Sequence, residues 1–352
     1  MNLRSLIALS AGLGLSLAGC SSGEASSGSG AVDLTGAGAT FPFPIYSRWF
    51  ADYSDLRGVK INYGSLGSGA GIRQLSEQTV DFGASDSPMT DKEMAAAKGG
   101  DIIHVPTVIG SVVVAYNLPD LQQRLRLTGD ALAAIFLGEI TRWNDPRLAA
   151  INPGVTLPAE DIIVVHRTDG SGTSYIFTDY LTSVSEAWAS GPGRGKQVDW
   201  PVGLGGKGNE GVAALVKYTP GAIGYTELAY VRHTGLDAAL IRNAAGNYVG
   251  PDIANTQAAA LGAMESLPAD TDFRISIVNA PGEQAYPISS LTWLLLYRQQ
   301  PDSVKGRKLL DFIEWALTEG DEAAASLDYA PLPDAMQARV LERLSGVQLG
   351  AS

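Results

Sequence analysis

The sequence predicts an α/β fold of two lobes, and three observations lead to this prediction. Short runs of β-branched and other apolar residues, typical of buried strands, occur at 59–63, 80–83, 102–105, 112–116 and 162–165. Segments with helical spacing of apolar residues lie between them, which favours an α/β architecture. The about 320 residues that follow the N-terminal segment exceed the size of one usual core, so we expect two lobes.

The first 30 residues are predicted to be a signal peptide and a tether. Residues 1–19 have Arg4 near the start, an apolar run from Leu6 to Ala18 and then small residues, which resembles a bacterial lipoprotein signal. The apolar run is too short to span a bilayer. Cleavage would leave Cys20, the only cysteine, as an acylated first residue that attaches the protein to a membrane. Residues 20–30 are rich in Ser, Gly and Ala, as in flexible tethers.

The charge balance makes nucleic acid an improbable partner. The chain has 25 basic and 37 acidic residues, a net charge of −12. Loss of Arg4 with the signal would leave 24 basic residues and a charge of −13. This excess repels anions at long range. An anion site would therefore have to act through local hydrogen bonds and dipoles.

The first of four junctions at which a strand leads into a helix lies at residues 34–42. The following residues have helical apolar spacing, and Pro42 suits the first turn of that helix. Thr40 could cap the helix and also offer its hydroxyl to a ligand. Taken alone, this segment favours an ordinary capped helix.

Two further junctions in the same half of the chain are rich in Gly and Ser. Residues 64–71 contain Ser68 near a predicted helix start, where glycines allow close approach of a ligand. Asp86 follows the predicted strand 80–83, and Thr90 with Glu93 has the spacing of a capping box. A carboxylate suits an anion site only if the ligand still carries a proton, as phosphate does near neutral pH and sulfate does not. Each junction alone is equally compatible with a turn or cap.

The fourth junction, residues 167–173, combines a planar cation with small hydroxyl residues. It follows the predicted strand 162–165 and precedes a helical pattern at 174–181. Unpaired N–H groups and the helix dipole favour anions at such a helix start, and Arg167 would add a bidentate donor. An arginine beside an ordinary capped turn is an equal alternative for this loop considered by itself.

Residues 35–42, 80–86 and 169–174 together closely resemble the extracytoplasmic phosphate-binding proteins of high-affinity phosphate ABC importers. Residues 203–209, 220–225 and 327–333 match as well, and the resemblance covers the chain after the tether. It implies a two-lobed type II periplasmic-binding-protein fold with phosphate in the cleft between lobes. The implied phosphate ligands are Thr40, Phe41, Ser68, Asp86, Arg167, Ser171, Gly172 and Thr173, with Asp169 orienting Arg167.

The resemblance also implies the arrangement of the lobes. Lobe I would consist of residues 31–107 and 283–352, and lobe II of residues 108–282. The chain would cross between lobes near residues 106–108 and again near 283–287, and these crossings would form a hinge. The protein would be a monomer that delivers phosphate to the membrane permease of an importer, at the extracytoplasmic face of a bacterial membrane, with ATP hydrolysed by a separate subunit.

We expect neither a cofactor nor a metal. Residues 203–208 match GxGxxG, but Trp200 and Pro201 interrupt the preceding strand and no strand–helix–strand unit is predicted to frame the glycines, which argues against a dinucleotide site. The three histidines lack metal-ligand spacing. A lipid-anchored phosphatase remains an alternative, although an enzymatic base, nucleophile or metal is not evident near these loops. The same fold with another oxyanion as ligand is a second alternative.

Overall fold

The fold is taken from a computed structural model of the protein, in which the structure describes residues 34–264, 268 and 271–350. The predicted signal peptide, Cys20 and the tether lie outside these residues. Among the described helices, none combines the length and the apolar character needed to cross a membrane.

The strands and helices of the described residues alternate along most of the chain. The strands are β1 (Leu34–Gly38), β2 (Ile61–Ser65), β3 (Phe82–Ser85), β4 (Ile102–Tyr116), β5 (Arg126–Leu127), β6 (Ile163–Arg167), β7 (Leu204–Gly206), β8 (Ala222–Glu227), β9 (Asp237–Ala238), β10 (Leu240–Arg242), β11 (Tyr248–Val249), β12 (Ser289–Tyr297), β13 (Gln299–Gln300) and β14 (Gln348–Leu349). The helices are α1 (Phe43–Arg57), α2 (Ser68–Ser76), α3 (Asp91–Ala95), α4 (Gly129–Phe136), α5 (Pro146–Ile151), α6 (Gly172–Val184), α7 (Glu186–Ser190), α8 (Gly208–Tyr218), α9 (Leu228–Thr234), α10 (Ile253–Met264), α11 (Ser303–Thr318), α12 (Asp321–Ser326) and α13 (Asp334–Ser345).

The central sheet of the described chain has nine strands. Its order is β2-β1-β3-β12-β4-β8-β6-β7, and β9 pairs with β4. Strand β1 is parallel to β2 and β3, and β6 is parallel to β7 and β8. Strand β12 runs antiparallel to both β3 and β4. The parallel strands thus form two groups, joined through β12 and β4.

Strand β4 is longer than the sequence analysis predicts. The two predicted strands at 102–105 and 112–116 belong to one strand, which contains Pro106. Thr292 of β12 pairs with Val108 and Trp293 pairs with Pro106, so Thr107 is an extra residue on β4. A proline without an N–H group is tolerated at such a bulge. Residues 102–111 of β4 pair with β12, whereas residues 112–116 pair with β8.

Helix α1 packs through a group of aromatic residues. Phe50 and Tyr53 each lie 5.3 Å, centroid to centroid, from the ring of Phe312 on α11. Trp49 is buried and donates from its indole N–H to the carbonyl of Gly320 at 3.0 Å. These contacts fix α1 against the C-terminal helices, and with it the loop that precedes α1.

A second aromatic group lies beneath β6 and β8. The rings of Phe177 and Tyr225 stack at 4.3 Å, and Phe136 lies 4.8 Å from Phe177. The Tyr225 hydroxyl is hydrogen-bonded to Ser174 Oγ at 2.6 Å and accepts from the N–H of Arg167 at 3.2 Å. The core therefore fixes the end of β6 and the first turn of α6.

The helix starts agree with the sequence in one case and differ in another. The capping box of Thr90 and Glu93 is confirmed, because Thr90 Oγ1 accepts from the N–H of Glu93 and Glu93 accepts from the N–H of Thr90. Thr40 does not cap α1, which begins at Phe43 with no side-chain cap. That predicted capping role is wrong.

Candidate functional site

The predicted site residues lie where parallel strands end. Strands β1, β3 and β6 end at Gly38, Ser85 and Arg167, and helices α1, α2, α6 and α8 begin close after strand ends. First turns of helices present unpaired N–H groups and a positive partial charge. The six predicted side chains that would contact a ligand are each at most 3% exposed; they are Thr40, Ser68, Asp86, Arg167, Ser171 and Thr173.

Asp86 is a buried carboxyl group held by hydroxyl donors. Thr292 donates from Oγ1 to Asp86 Oδ1 at 2.8 Å, and Ser68 donates from Oγ to Asp86 Oδ2 at 3.3 Å. Burial raises the pKa of Asp86 from its ordinary value to about 7, although the hydrogen bond from Thr292, the charge of Arg167 and the hydrogen bond from Ser68 each lower it. Asp86 can therefore hold or accept a proton near neutral pH.

Ser68 joins the second junction to the start of α6. Its Oγ accepts from the N–H of Asp86 and from the N–H of Gly172, both at 3.1 Å. The N–H of Gly69 also donates to the carbonyl of Gly170 at 2.8 Å. The structure thus brings Ser68 and Gly172 together, and the N–H of Gly172 donates its hydrogen bond to Ser68.

Arg167 is buried and forms an ion pair with the partly exposed Asp169. The Nε of Arg167 donates to Asp169 Oδ1 at 2.8 Å, and its Nη2 donates to Oδ2 at 2.5 Å. Burial acts to raise the pKa of Asp169, but the hydrogen bonds and charge of Arg167 and the N–H of Gly208 outweigh it and lower that pKa. Arg167 Nη1 also donates to Thr173 Oγ1 at 3.3 Å. Because arginine has five N–H donors, two N–H groups remain for an anion.

The other predicted residues lie at helix starts beside this ion pair. Ser171 is the N-cap of α6, where its Oγ accepts from the N–H of Ser174 at 3.0 Å and its own O–H remains a donor. The carbonyl of Thr40 accepts from the Tyr230 hydroxyl at 2.6 Å. No hydrogen bond among the described residues uses the N–H of Phe41.

Two buried residues of the site were missed by the sequence analysis. Thr292 lies 206 residues along the chain from Asp86, and a threonine within an apolar strand gives no local signal. Asn209 donates from Nδ2 to Thr40 Oγ1 at 2.8 Å and to Thr173 Oγ1 at 3.1 Å. Its position could have been found, since it directly follows the GxGxxG segment.

The sequence analysis is wrong in one respect about the GxGxxG segment, residues 203–208. Residues 204–206 form β7, which leads into α8 and then β8, and β6 pairs in parallel with both strands. A strand–helix–strand unit therefore does frame the glycines, contrary to the sequence analysis. Its loop is filled by contacts within the protein: Gly208 donates to Asp169, and Asn209 donates to Thr40.

The arrangement offers many hydrogen-bond donors and one carboxyl group that can exchange a proton. The donors are hydroxyl groups, the remaining N–H groups of Arg167 and the backbone of helix starts. Among the described residues, no group of three or more His, Cys, Asp and Glu side chains is placed to hold a metal ion. These features suit the binding of a small tetrahedral anion that carries a proton.

This chain is similar in sequence to known proteins over most of its length. A family model described as a PBP superfamily domain matches residues 24–319. The chain is 45% identical over 303 residues to the phosphate-binding protein PstS of Xylella fastidiosa strain 9a5c, covering 86% of this chain and 82% of that protein. The chain belongs to the PstS family. Another PstS, from Pasteurella multocida strain Pm70, is 43% identical over 306 residues, with 86% and 87% covered.

Solved structures agree with this membership of the PstS family at the level of fold. A phosphate-binding protein from Stenotrophomonas maltophilia has a TM-score of 0.70 at 20% identity, covering 89% of this chain and 94% of that one. An ABC-type phosphate transport receptor from Vibrio cholerae has a TM-score of 0.53 at 17% identity, with 85% and 100% covered. The predicted periplasmic-binding-protein fold is confirmed.

Proposed function

We propose that this protein binds inorganic phosphate and delivers it to a membrane ABC importer as the solute-binding component. The observation that carries the proposal is a buried site in which hydroxyl groups donate to Asp86 and the charge of Arg167 acts on it, while burial raises the pKa of Asp86 to about 7. The names of its PstS relatives support the same function.

The donors would stabilise a desolvated anion in the site. Arg167 would contribute its two remaining N–H groups, and Ser171 and Thr173 would contribute hydroxyl donors from the start of α6. Thr40 and the N–H of Phe41 would donate from the opposite side, and Ser68 would turn its hydroxyl hydrogen from Asp86 towards the ligand. The N–H of Gly172 would turn from Ser68 towards the ligand or be shared between them. Each hydrogen bond to a charged group stabilises the complex by about 1.5–3 kcal/mol.

Asp86 would select a protonated anion. Monohydrogen phosphate carries one proton that the carboxylate can accept, so the ligand and Asp86 share that proton. Sulfate has none, and above the pKa of Asp86 its oxygen would face a carboxylate without a hydrogen between them. An unpaired buried acceptor costs about 1–3 kcal/mol or more, which disfavours sulfate.

We propose two lobes, residues 31–107 with 283–352 and residues 108–282, hinged where the chain crosses between them. The change of partner along β4, from β12 to β8 after residue 111, supports a crossing in this strand. Hydrogen bonds such as Gly69 to Gly170 and Tyr230 to Thr40 would join the lobes when the cleft is closed. Opening would break these bonds and release the ligand.

The remaining parts of the proposal concern the membrane. Cys20 would carry the lipid anchor at the extracytoplasmic face, and residues 20–30 would tether a monomeric body to it. The permease would receive phosphate from the opened cleft, and another subunit would hydrolyse ATP. Replacement Cys20→Ser would release the protein from the membrane fraction; continued membrane attachment of this variant would refute the anchor.

Calorimetry of ligand-stripped protein tests the function. At pH 8, above the pKa of Asp86, phosphate is expected to bind with one site per chain, whereas sulfate and molybdate should bind about 100-fold more weakly or worse. Ser171→Ala should weaken phosphate binding, and Ser183→Ala, whose hydroxyl bonds to Tyr180 within α6, serves as the matched control. Absence of phosphate binding would refute the function, and equal binding of sulfate would refute the role of Asp86.

The enzymatic alternative has its own test. A phosphate monoester is incubated with the protein, and release of phosphate is followed over time. We expect no turnover. Turnover that disappears in Ser171→Ala would replace the binding function by that of a phosphatase.

A further inference from the structure

We propose that Asn209 is a positioning residue that makes the hydroxyls of Thr40 and Thr173 act only as donors towards the bound anion. The inference rests on the proposed function, since these hydroxyls are among the proposed phosphate ligands. Asn209 is fully buried at the start of α8, and its side chain reaches residues from two separate junctions.

The orientation of the Asn209 amide is fixed by the backbone. Its Oδ1 lies 3.1 Å from the N–H of Glu227 and 3.1 Å from Thr226 Oγ1. A backbone N–H can only donate, so the atom that faces Glu227 must be the oxygen. The NH₂ group of Asn209 must therefore face the opposite way, towards the two threonines.

Each hydrogen of this NH₂ group has its own acceptor. One donates to Thr40 Oγ1 at 2.8 Å and the other to Thr173 Oγ1 at 3.1 Å. With both hydrogens used, Asn209 has no side-chain donor left for a ligand. Its effect on the anion must pass through Thr40 and Thr173.

Both threonine oxygens receive a second hydrogen bond. Thr40 Oγ1 also accepts from the N–H of Asn209 at 3.2 Å, and Thr173 Oγ1 also accepts from Arg167 Nη1 at 3.3 Å. A hydroxyl oxygen has two lone pairs, so each oxygen is saturated as an acceptor. Within the described chain, neither hydroxyl donates to a protein atom. Each O–H is left to donate to the ligand.

This arrangement determines where a proton on the anion can lie. A proton on an anion oxygen at Thr40 or Thr173 would find no acceptor in these two hydroxyl groups, whereas Asp86 can accept a proton. Asn209 thus orients the ligand without contacting it, because it fixes the direction of the hydroxyl hydrogens of Thr40 and Thr173.

A set of variants tests this role by calorimetry with inorganic phosphate at pH 8. Asn209→Leu removes the NH₂ donors and should weaken binding about tenfold. Asn209→Asp puts acceptors where the NH₂ was, so both hydroxyls turn away from the ligand, and binding should weaken about 100-fold. In a Thr40→Val/Thr173→Val background, adding Asn209→Leu should change the phosphate affinity less than threefold, because the two hydroxyls through which Asn209 acts on the ligand are absent.

The matched control is Asn152, which is buried and donates from Nδ2 to the carbonyls of Arg126 and Leu148, with no contact to the site. Asn152→Leu should lower the urea midpoint and leave phosphate affinity unchanged. Folding of every variant is checked by urea unfolding without ligand. If Asn209→Leu does not fold, Asn209→Ser replaces it in the comparison between the two backgrounds.

Two results would overturn the inference: Asn209→Asp binding phosphate within threefold of the unmodified protein, or an equal loss from Asn209→Leu in both backgrounds. The second result would reduce Asn209 to a structural role. These outcomes are distinct from failure of the proposed function, in which the unmodified protein and the Asn152 control also fail to bind phosphate.

Discussion

Replacement of Asp86 by asparagine should stabilise the ligand-free protein at alkaline pH. Asp86 is 1% exposed, and burial raises its pKa from 3.8 to about 7. Ionising it inside the folded protein therefore costs free energy. Asparagine has a similar shape and does not ionise, so the variant avoids this cost.

The magnitude and sign follow from the two pKa values of Asp86. Between pH 3.8 and about 7 the folded state binds more protons at Asp86 than the unfolded state, so stability falls as pH rises. A shift of about 3 units at about 1.4 kcal/mol per unit gives about 4 kcal/mol. The variant should thus match the unmodified protein near pH 4, and exceed its free energy of unfolding by up to about 4 kcal/mol above pH 8.

The assay is urea unfolding of ligand-stripped protein at intervals from pH 4 to 9. The difference in free energy of unfolding between Asp86→Asn and the unmodified protein isolates Asp86 from other titrating groups. Asp120→Asn, at an exposed loop position, serves as the control for replacing a carboxylate by an amide. A difference for Asp86→Asn that does not change between pH 4 and 9 would refute the raised pKa.

Three further predictions follow from contacts within the site and the sheet. Thr292→Val removes a donor to Asp86, so the pKa of Asp86 rises further, and the upper end of the pH-dependent loss of stability should move from about pH 7 to about pH 8 in the same urea series. Arg167→Lys loses the paired hydrogen bonds to Asp169, and phosphate affinity should fall about 10–100-fold in calorimetry. Gly71→Ala puts a Cβ 2.6 Å from the Cα of Gly38, so urea unfolding should show a loss of about 2–3 kcal/mol.

Each of these has a control or a contrary outcome. Thr292→Ser should show the same dependence of stability on pH as the unmodified protein, because serine keeps the hydroxyl that donates to Asp86. Undiminished phosphate affinity in Arg167→Lys would contradict the need for a planar donor. Gly58 has a φ of 70° and no atom near an added Cβ, so Gly58→Ala should cost only about 1 kcal/mol. A Gly71→Ala variant as stable as Gly58→Ala would show that α2 can shift away from β1.

Local patterns were sufficient to predict most of the elements around the site. The strand ends near Asp86 and Arg167 and the capping box at Thr90 all have signals within a few neighbouring residues. The prediction of two strands in place of β4 is wrong. A proline such as Pro106 normally interrupts the hydrogen bonds between strands, but it does not end β4. The extra residue Thr107, which is visible only in the pairing with β12, lets the strand continue through it.

The sequence by itself determined the α/β alternation, the order of the Gly- and Ser-rich junctions, and the residue types that could bind a protonated oxyanion. These are properties of short segments, so they can be read without knowing what lies opposite. Tertiary structure decided the partners from distant segments: Thr292 on Asp86, Asn209 on Thr40, and the N–H of Gly172 on Ser68. It also decided the pKa of Asp86, because desolvation depends on everything that packs around the carboxyl group.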